Sequence, residues 1–134
     1  MKLRTLLLFT ALIFAPMFGT DVMGYLGGDG PTGGAMAAIT IKGTVYGTVG
    51  PGFVITLKKA NGLVVTALKA GTWKIVVSDK SSVHNFHLTG PGVNKTTTVG
   101  QVTKITWTVT LKPGIYTYKC DPHITMKKTF KVIA

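Results

Sequence analysis

From residue 37 onward, apolar and polar residues alternate in short runs, and each run is stopped by glycine, proline or asparagine. "TKITWTVTL" sets Ile105, Trp107, Val109 and Leu111 against Lys104, Thr106, Thr108 and Thr110. "TWKIVVS" repeats the pattern with Trp73, Ile75 and Val77, and "AAITIKGTVYG" with Ile39, Ile41 and Val45 against Thr40, Lys42 and Thr44. A period of two puts alternate side chains on opposite faces of an extended strand, so each run can bury one face only. Asn61-Gly62 lies between two apolar runs and predicts a hairpin. Pro113-Gly114 predicts a turn before "IYTYKC", and "KKTFKVI" supplies a last strand with Phe130 and Val132 inward. No helical period appears beyond the leader. About eight strands with frequent turn residues predict an all-β fold, an eight-stranded antiparallel sandwich or barrel with Trp73 and Trp107 in its core.

The 134-residue chain is long enough for one such domain. Residues 1–24 read as an export leader: Lys2 and Arg4 precede an apolar run from Leu6 to Phe18 that is short for a membrane span, and Gly19 and Gly24 offer small residues for cleavage. An uncleaved N-terminal anchor is the alternative. Residues 25–36, rich in glycine, read as a flexible linker, which leaves 37–134 for the folded domain.

The formal charge is +11, and from residue 25 onward every cation is lysine, with no arginine and no glutamate. Such a field favours acidic partners or an anionic membrane surface. It argues against nucleic acid, because arginine is the residue suited to bidentate phosphate and guanine contacts. Lysines on outward strand positions also discourage edge-to-edge pairing, an ordinary solvated role that needs no partner. The expected state is a monomer. One cysteine cannot form an internal disulfide, so Cys120 is a free thiol, an intermolecular bridge or a metal ligand.

Strand parity separates these options. Tyr116, Tyr118 and Cys120 share the inward face of one strand, and His84 shares the face of Phe86 and Leu88, whereas His87 falls with Val83 and Asn85 on the outward, solvated side. Met126 has the parity of Phe130 and Val132. The segment "CDPHITM" therefore aims soft donors inward where strands end. Two imidazoles, a thiolate and a weak thioether describe a blue-copper centre, with His84, Cys120 and His123 equatorial and Met126 axial. The thiolate gives copper a covalent electron route, the imidazoles suit both Cu(I) and Cu(II), and the thioether favours Cu(I). A copper carrier without redox turnover and an adhesive sandwich holding no metal are the alternatives. A cysteine hydrolase would need a free histidine base, which full ligation of Cys120 denies it.

The pattern resembles the cupredoxins, the small blue-copper proteins, and among them the plastocyanin and amicyanin-like group. The resemblance rests on "HNF" at 84–86 and the short C-x2-H-x2-M loop, and it extends in strand order over 37–134. It implies a Greek-key sandwich carrying one copper ion, and an electron carrier rather than an enzyme. The leader and the lysine charge, which the family does not predict, set the expected place and partner: an acidic or membrane-bound redox protein met in the periplasm, outside the cell or at the outer face of the cytoplasmic membrane. The resemblance also implies ligation by both histidines through Nδ1 and exit of the electron at His123. Asn85 would brace the two ligand segments and help bond the cysteine sulfur, and Pro122 would stiffen the loop. Val83 departs from the pattern, which has proline there. Lys127 and Lys128 flank the loop, either as a docking patch or as solvated charge.

Overall fold

The computed structural model describes residues 36–134; the leader and nearly all of the linker lie outside the described residues. Among the described residues, nine strands form two sheets. β1 (Ile41–Val49), β2 (Ile55–Lys59), β4 (Gly71–Asp79) and β7 (Thr103–Leu111) build the first sheet, in the order β2-β1-β4-β7. β3 (Ala67–Lys69), β5 (His87–Gly90), β6 (Val93–Thr96), β8 (Gly114–Lys119) and β9 (Lys127–Ile133) build the second, in the order β3-β9-β8-β5-β6. β1–β4 and β3–β9 are parallel and the other pairs antiparallel.

The all-β sandwich agrees with the sequence, but it has nine strands rather than eight. The added strand is β6, "VNKT", which has one buried residue, Val93, followed by three exposed ones. With so little apolar surface it shows no alternation, and pairing with β5 after the Gly90-Pro91-Gly92 turn is what makes it a strand.

Asn61-Gly62 does make a tight turn: Gly62 has φ of 83° and Asn61 Oδ1 accepts the Leu63 N–H at 3.1 Å. The hairpin predicted there stops after a single bridge, Lys58 to Val64, and the chain then crosses to the other sheet as β3. Local turn chemistry sets the reversal, but burial decides which sheet receives the next strand.

The core follows the alternation. Val45, Ile75, Val77, Trp107, Val109 and Leu111 from the first sheet meet Leu88, Tyr116, Tyr118, Phe130 and Val132 from the second. Trp73 is only partly buried: its ring packs against the edge of this core and its Nε1 donates to the Lys69 carbonyl at 2.9 Å. Ile39, Ile41 and Ile105 have the expected parity but lie where the sandwich leaves them exposed. Phe86 stacks on Tyr118, with centroids 5.7 Å apart and planes 6° from parallel. These two rings are fully buried, and each sits two residues from a candidate ligand, His84 in one case and Cys120 in the other. A packed aromatic pair thus fixes where both candidates leave the core.

Candidate metal centre

The candidate ligands lie on two segments. Cys120, His123 and Met126 occupy the loop that closes the β8–β9 hairpin. Its backbone bonds are nested: Cys120 N–H donates to Met126 O at 2.9 Å, Met126 N–H to His123 O at 2.9 Å and His123 N–H to Cys120 O at 3.3 Å. The outermost bond extends the β8–β9 ladder, in which Tyr116 faces Phe130 and Lys119 faces Lys127. Cys120 and Met126 are therefore cross-strand partners, and both are buried.

His84 arrives three residues ahead of β5. Its segment is held by Asp79, buried at the end of β4, which accepts from Ser81 N–H at 3.2 Å and Thr97 Oγ1 at 2.7 Å. The same Thr97 hydroxyl accepts from Phe86 N–H at 2.8 Å. Gly50 lies against this segment at φ of 72°, and a Cβ there would come within 2.8 Å of Ser81 Cβ and 3.3 Å of His84 Cδ2. Only glycine suits both the dihedral and the space.

Three donor atoms converge. His84 Nδ1 and His123 Nδ1 are 2.9 Å apart, and Cys120 Sγ lies 3.6 Å from the first and 3.4 Å from the second. His84 and Cys120 are buried and His123 is half-buried. Both rings direct Nδ1 at the cluster, while His84 Nε2 is buried and has no hydrogen-bond partner among the described residues. Phe53, on the loop between β1 and β2, meets both imidazoles edge-on at centroid distances of 5.4 Å and 5.0 Å, although its own side chain is largely exposed.

Around the loop runs a polar clamp. Asp121 N–H donates to Asn85 Oδ1 at 2.7 Å, and Asn85 Nδ2 donates to Asp121 Oδ2 at 2.7 Å and to Thr96 Oγ1 at 3.0 Å. His87 Nδ1 and Lys119 Nζ each reach the Asp121 carboxylate at 2.9 Å. Desolvation pushes that carboxyl up, but hydrogen bonds from Asn85, His87 and Lys119 outweigh it and hold the group well below the usual carboxylate range.

No family model and no curated protein matches the chain by sequence. Solved structures do match. A rusticyanin variant superposes with a TM-score of 0.50 at 18% identity, over 70% of this chain and 80% of its own. The domain has the cupredoxin fold. Rusticyanin from Thiobacillus ferrooxidans gives 0.48 at 19% identity, over 70% of this chain and 79% of its own. Auracyanin from Roseiflexus castenholzii gives 0.47 at 17% identity, over 71% of this chain and 100% of its own.

On this cupredoxin scaffold, His84, Cys120, His123 and Met126 form a candidate copper site, and the geometry can be tested against that cation. Donors about 2.0–2.3 Å from a central ion in a trigonal plane stand roughly 3.5 Å from one another. The two sulfur–nitrogen separations, 3.6 Å and 3.4 Å, match, and the nitrogen–nitrogen side of 2.9 Å is shorter. A soft thiolate beside two imidazoles, with a thioether on the same loop, is a donor set suited to copper. The residues fit.

The other expected site residues fall around this cluster. Asn85 links the two segments, but both of its amide hydrogens go to Asp121 and Thr96. Pro122 is exposed in the loop. Lys127 and Lys128 are exposed at the start of β9 and line a cleft of about 220 Å³ with Phe53, Val54 and Met126. His87, expected to be simply solvated, is instead hydrogen-bonded at both nitrogens, to Asp121 and to Asn94. Sequence reasoning also passed over Phe53 and Asp121. The shared parity of Asn85 and His87 pointed toward the clamp, whereas nothing local marks Phe53, which reaches the histidines only through the fold.

Proposed function

We propose that this domain is an exported blue-copper protein that carries single electrons between redox partners. His84, Cys120 and His123 would hold the metal together with Met126. The observation that carries the reading is the convergence of two Nδ1 atoms and one Sγ within 3.6 Å of one another at the end of a cupredoxin sandwich. When bound, copper supplies a one-electron couple. The chain's own residues keep the donors in place through the change of charge: the nested loop bonds hold Cys120, His123 and Met126, and the Phe86–Tyr118 stack anchors the segments on either side. A rigid donor set keeps reorganisation small. His123, half-buried beside the exposed Phe53, offers the short path to the surface.

The reading makes the protein a carrier rather than an enzyme, acting as a monomer. The lysines around the loop, Lys127 and Lys128 with Lys119, favour an acidic partner or one at an anionic membrane surface. Copper titration of residues 25–134, followed by visible absorption and voltammetry, tests it. An intense blue charge-transfer band and a reversible one-electron wave are expected, and Cys120→Ala should abolish the band while the sandwich stays folded. Bound copper with no such band, or a band surviving in Cys120→Ala, would overturn the assignment.

A further inference from the structure

The nested backbone bonds of the loop run within the β8–β9 hairpin, so they do not set where Cys120 and His123 lie relative to His84, which arrives on another segment. Backbone pairing between β5 and β8 reaches only to His87 and Lys119, short of both ligand segments, and beyond it the link is made by side chains meeting at Asp121. Asn85 holds one carboxylate oxygen and the backbone N–H. Lys119 reaches the other oxygen, but it is a long, partly exposed side chain, and exposed ion pairs of this kind hold position weakly.

His87 is different. It is the first residue of β5, in register with Thr96 of β6 on one side and Lys119 of β8 on the other. Its side chain is 19% exposed, its Nδ1 lies 2.9 Å from both oxygens of Asp121, and its Nε2 lies 2.7 Å from Asn94 Oδ1 on β6. A short ring rooted in a strand and engaged at both nitrogens has little freedom. It spans Asn94 and Asp121 as a brace between sheet and loop.

We propose that His87 is a positioning residue for the ligand loop: by pinning the Asp121 carboxylate to β5 and β6, it sets the place of the Cys120–His123 segment relative to His84. Its meaning for the metal rests on the blue-copper reading; the brace itself does not.

Two variants separate the brace from general stability. His87→Leu keeps bulk and removes both polar contacts; His87→Asn keeps an N–H near the position of Nδ1. In the copper-free protein, amide hydrogen exchange at Asp121 and His123 should accelerate about tenfold or more in His87→Leu relative to the core amides of Tyr116 and Tyr118. It should return toward the wild-type rate in His87→Asn. After copper loading, the charge-transfer band of His87→Leu should shift and broaden, while that of His87→Asn should stay close to wild type. Unchanged loop exchange in His87→Leu, equal acceleration of loop and core amides, or failure of asparagine to restore the rate would each overturn the brace. Faster loop exchange with an unmoved band would overturn the positioning of the ligands. If the wild-type protein gave no blue band, the blue-copper reading would fall while the exchange comparison still decided the brace.

Discussion

Replacing Asn85 with alanine removes three hydrogen bonds at one point, and the structure lets their worth be worked out. Asn85 is 4% exposed, so water cannot replace its amide on its own side. Its bond to the Asp121 carboxylate is charge-assisted, about 1.5–3 kcal/mol, and the bonds to Asp121 N–H and Thr96 Oγ1 are ordinary ones of about 1 kcal/mol each. The sum must be discounted, because the Asp121 side chain is 40% exposed and water recovers part of what it loses. A net cost of about 2–3 kcal/mol remains, which for a domain of this size lowers the melting temperature by roughly 10–20 °C. Urea unfolding of the copper-free protein measures it, and the m-value should not change, since the same surface is exposed on unfolding. Thr96→Val, which removes one of the three bonds and the Thr96 hydroxyl's own bond to the Thr97 carbonyl, should cost about 1–2 kcal/mol. If Asn85→Ala cost under about 0.5 kcal/mol, water would be serving the clamp as well as the amide does, and Asn85 would brace nothing.

Three further outcomes follow from particular contacts. The Tyr116 hydroxyl accepts from Lys112 N–H at 3.0 Å and faces the Pro91 and Lys112 carbonyls at 3.0 Å and 3.2 Å. Tyr116→Phe should therefore cost about 1–2 kcal/mol in the same urea assay, with the core stacking on Phe130 kept. A Cβ at Gly47 would lie 2.8 Å from Phe86 Cζ inside the core, so Gly47→Ala should destabilise by about 1–3 kcal/mol through displacement of that ring, measurable as lost near-ultraviolet circular dichroism and a lower melting temperature. The Asp121 carboxyl is depressed in the folded state, so its contribution is complete above the unfolded value of about 3.9 and is lost as pH falls below it. Acidification from about pH 5 should weaken the wild-type protein more steeply than Asp121→Asn, and parallel stability curves for the two would refute the carboxylate's role.

Much of the site could be read from the sequence, and the reason is geometric. Cys120, His123 and Met126 share a loop a few residues long, and period-two parity carries the inward direction of Tyr116 and Tyr118 on to Cys120. Parity likewise placed His84 with Phe86 on the buried side. What escaped notice depends on contacts between distant segments. Asp121 looked like a loop acid because Asn85 and His87, some 36 and 34 residues earlier, become its partners only once β5 pairs with β8. Phe53 reaches the imidazoles from the other sheet. β6 was hidden because three of its four residues face solvent, and the hairpin at Asn61-Gly62 was over-read because a turn pair constrains two residues, not the destination of the strand after them.

The four candidate ligands all belong to one layer, entering or leaving β5, β8 and β9, whereas Phe53, which covers two of them, hangs from the β1–β2 loop of the opposite layer. A breathing motion that changes the spacing of the sheets would carry Cys120, His123 and Met126 together and move their cover, while His84, whose segment is held at the end of β4, stays tied to both layers. The three donors of the β8–β9 loop and the ring that covers the site are thus assigned to different halves of the sandwich. Substitutions at Phe53 can alter what approaches the site, or how wet it becomes, without re-forming the donor triangle, whereas Gly50 on the same loop packs against His84 itself.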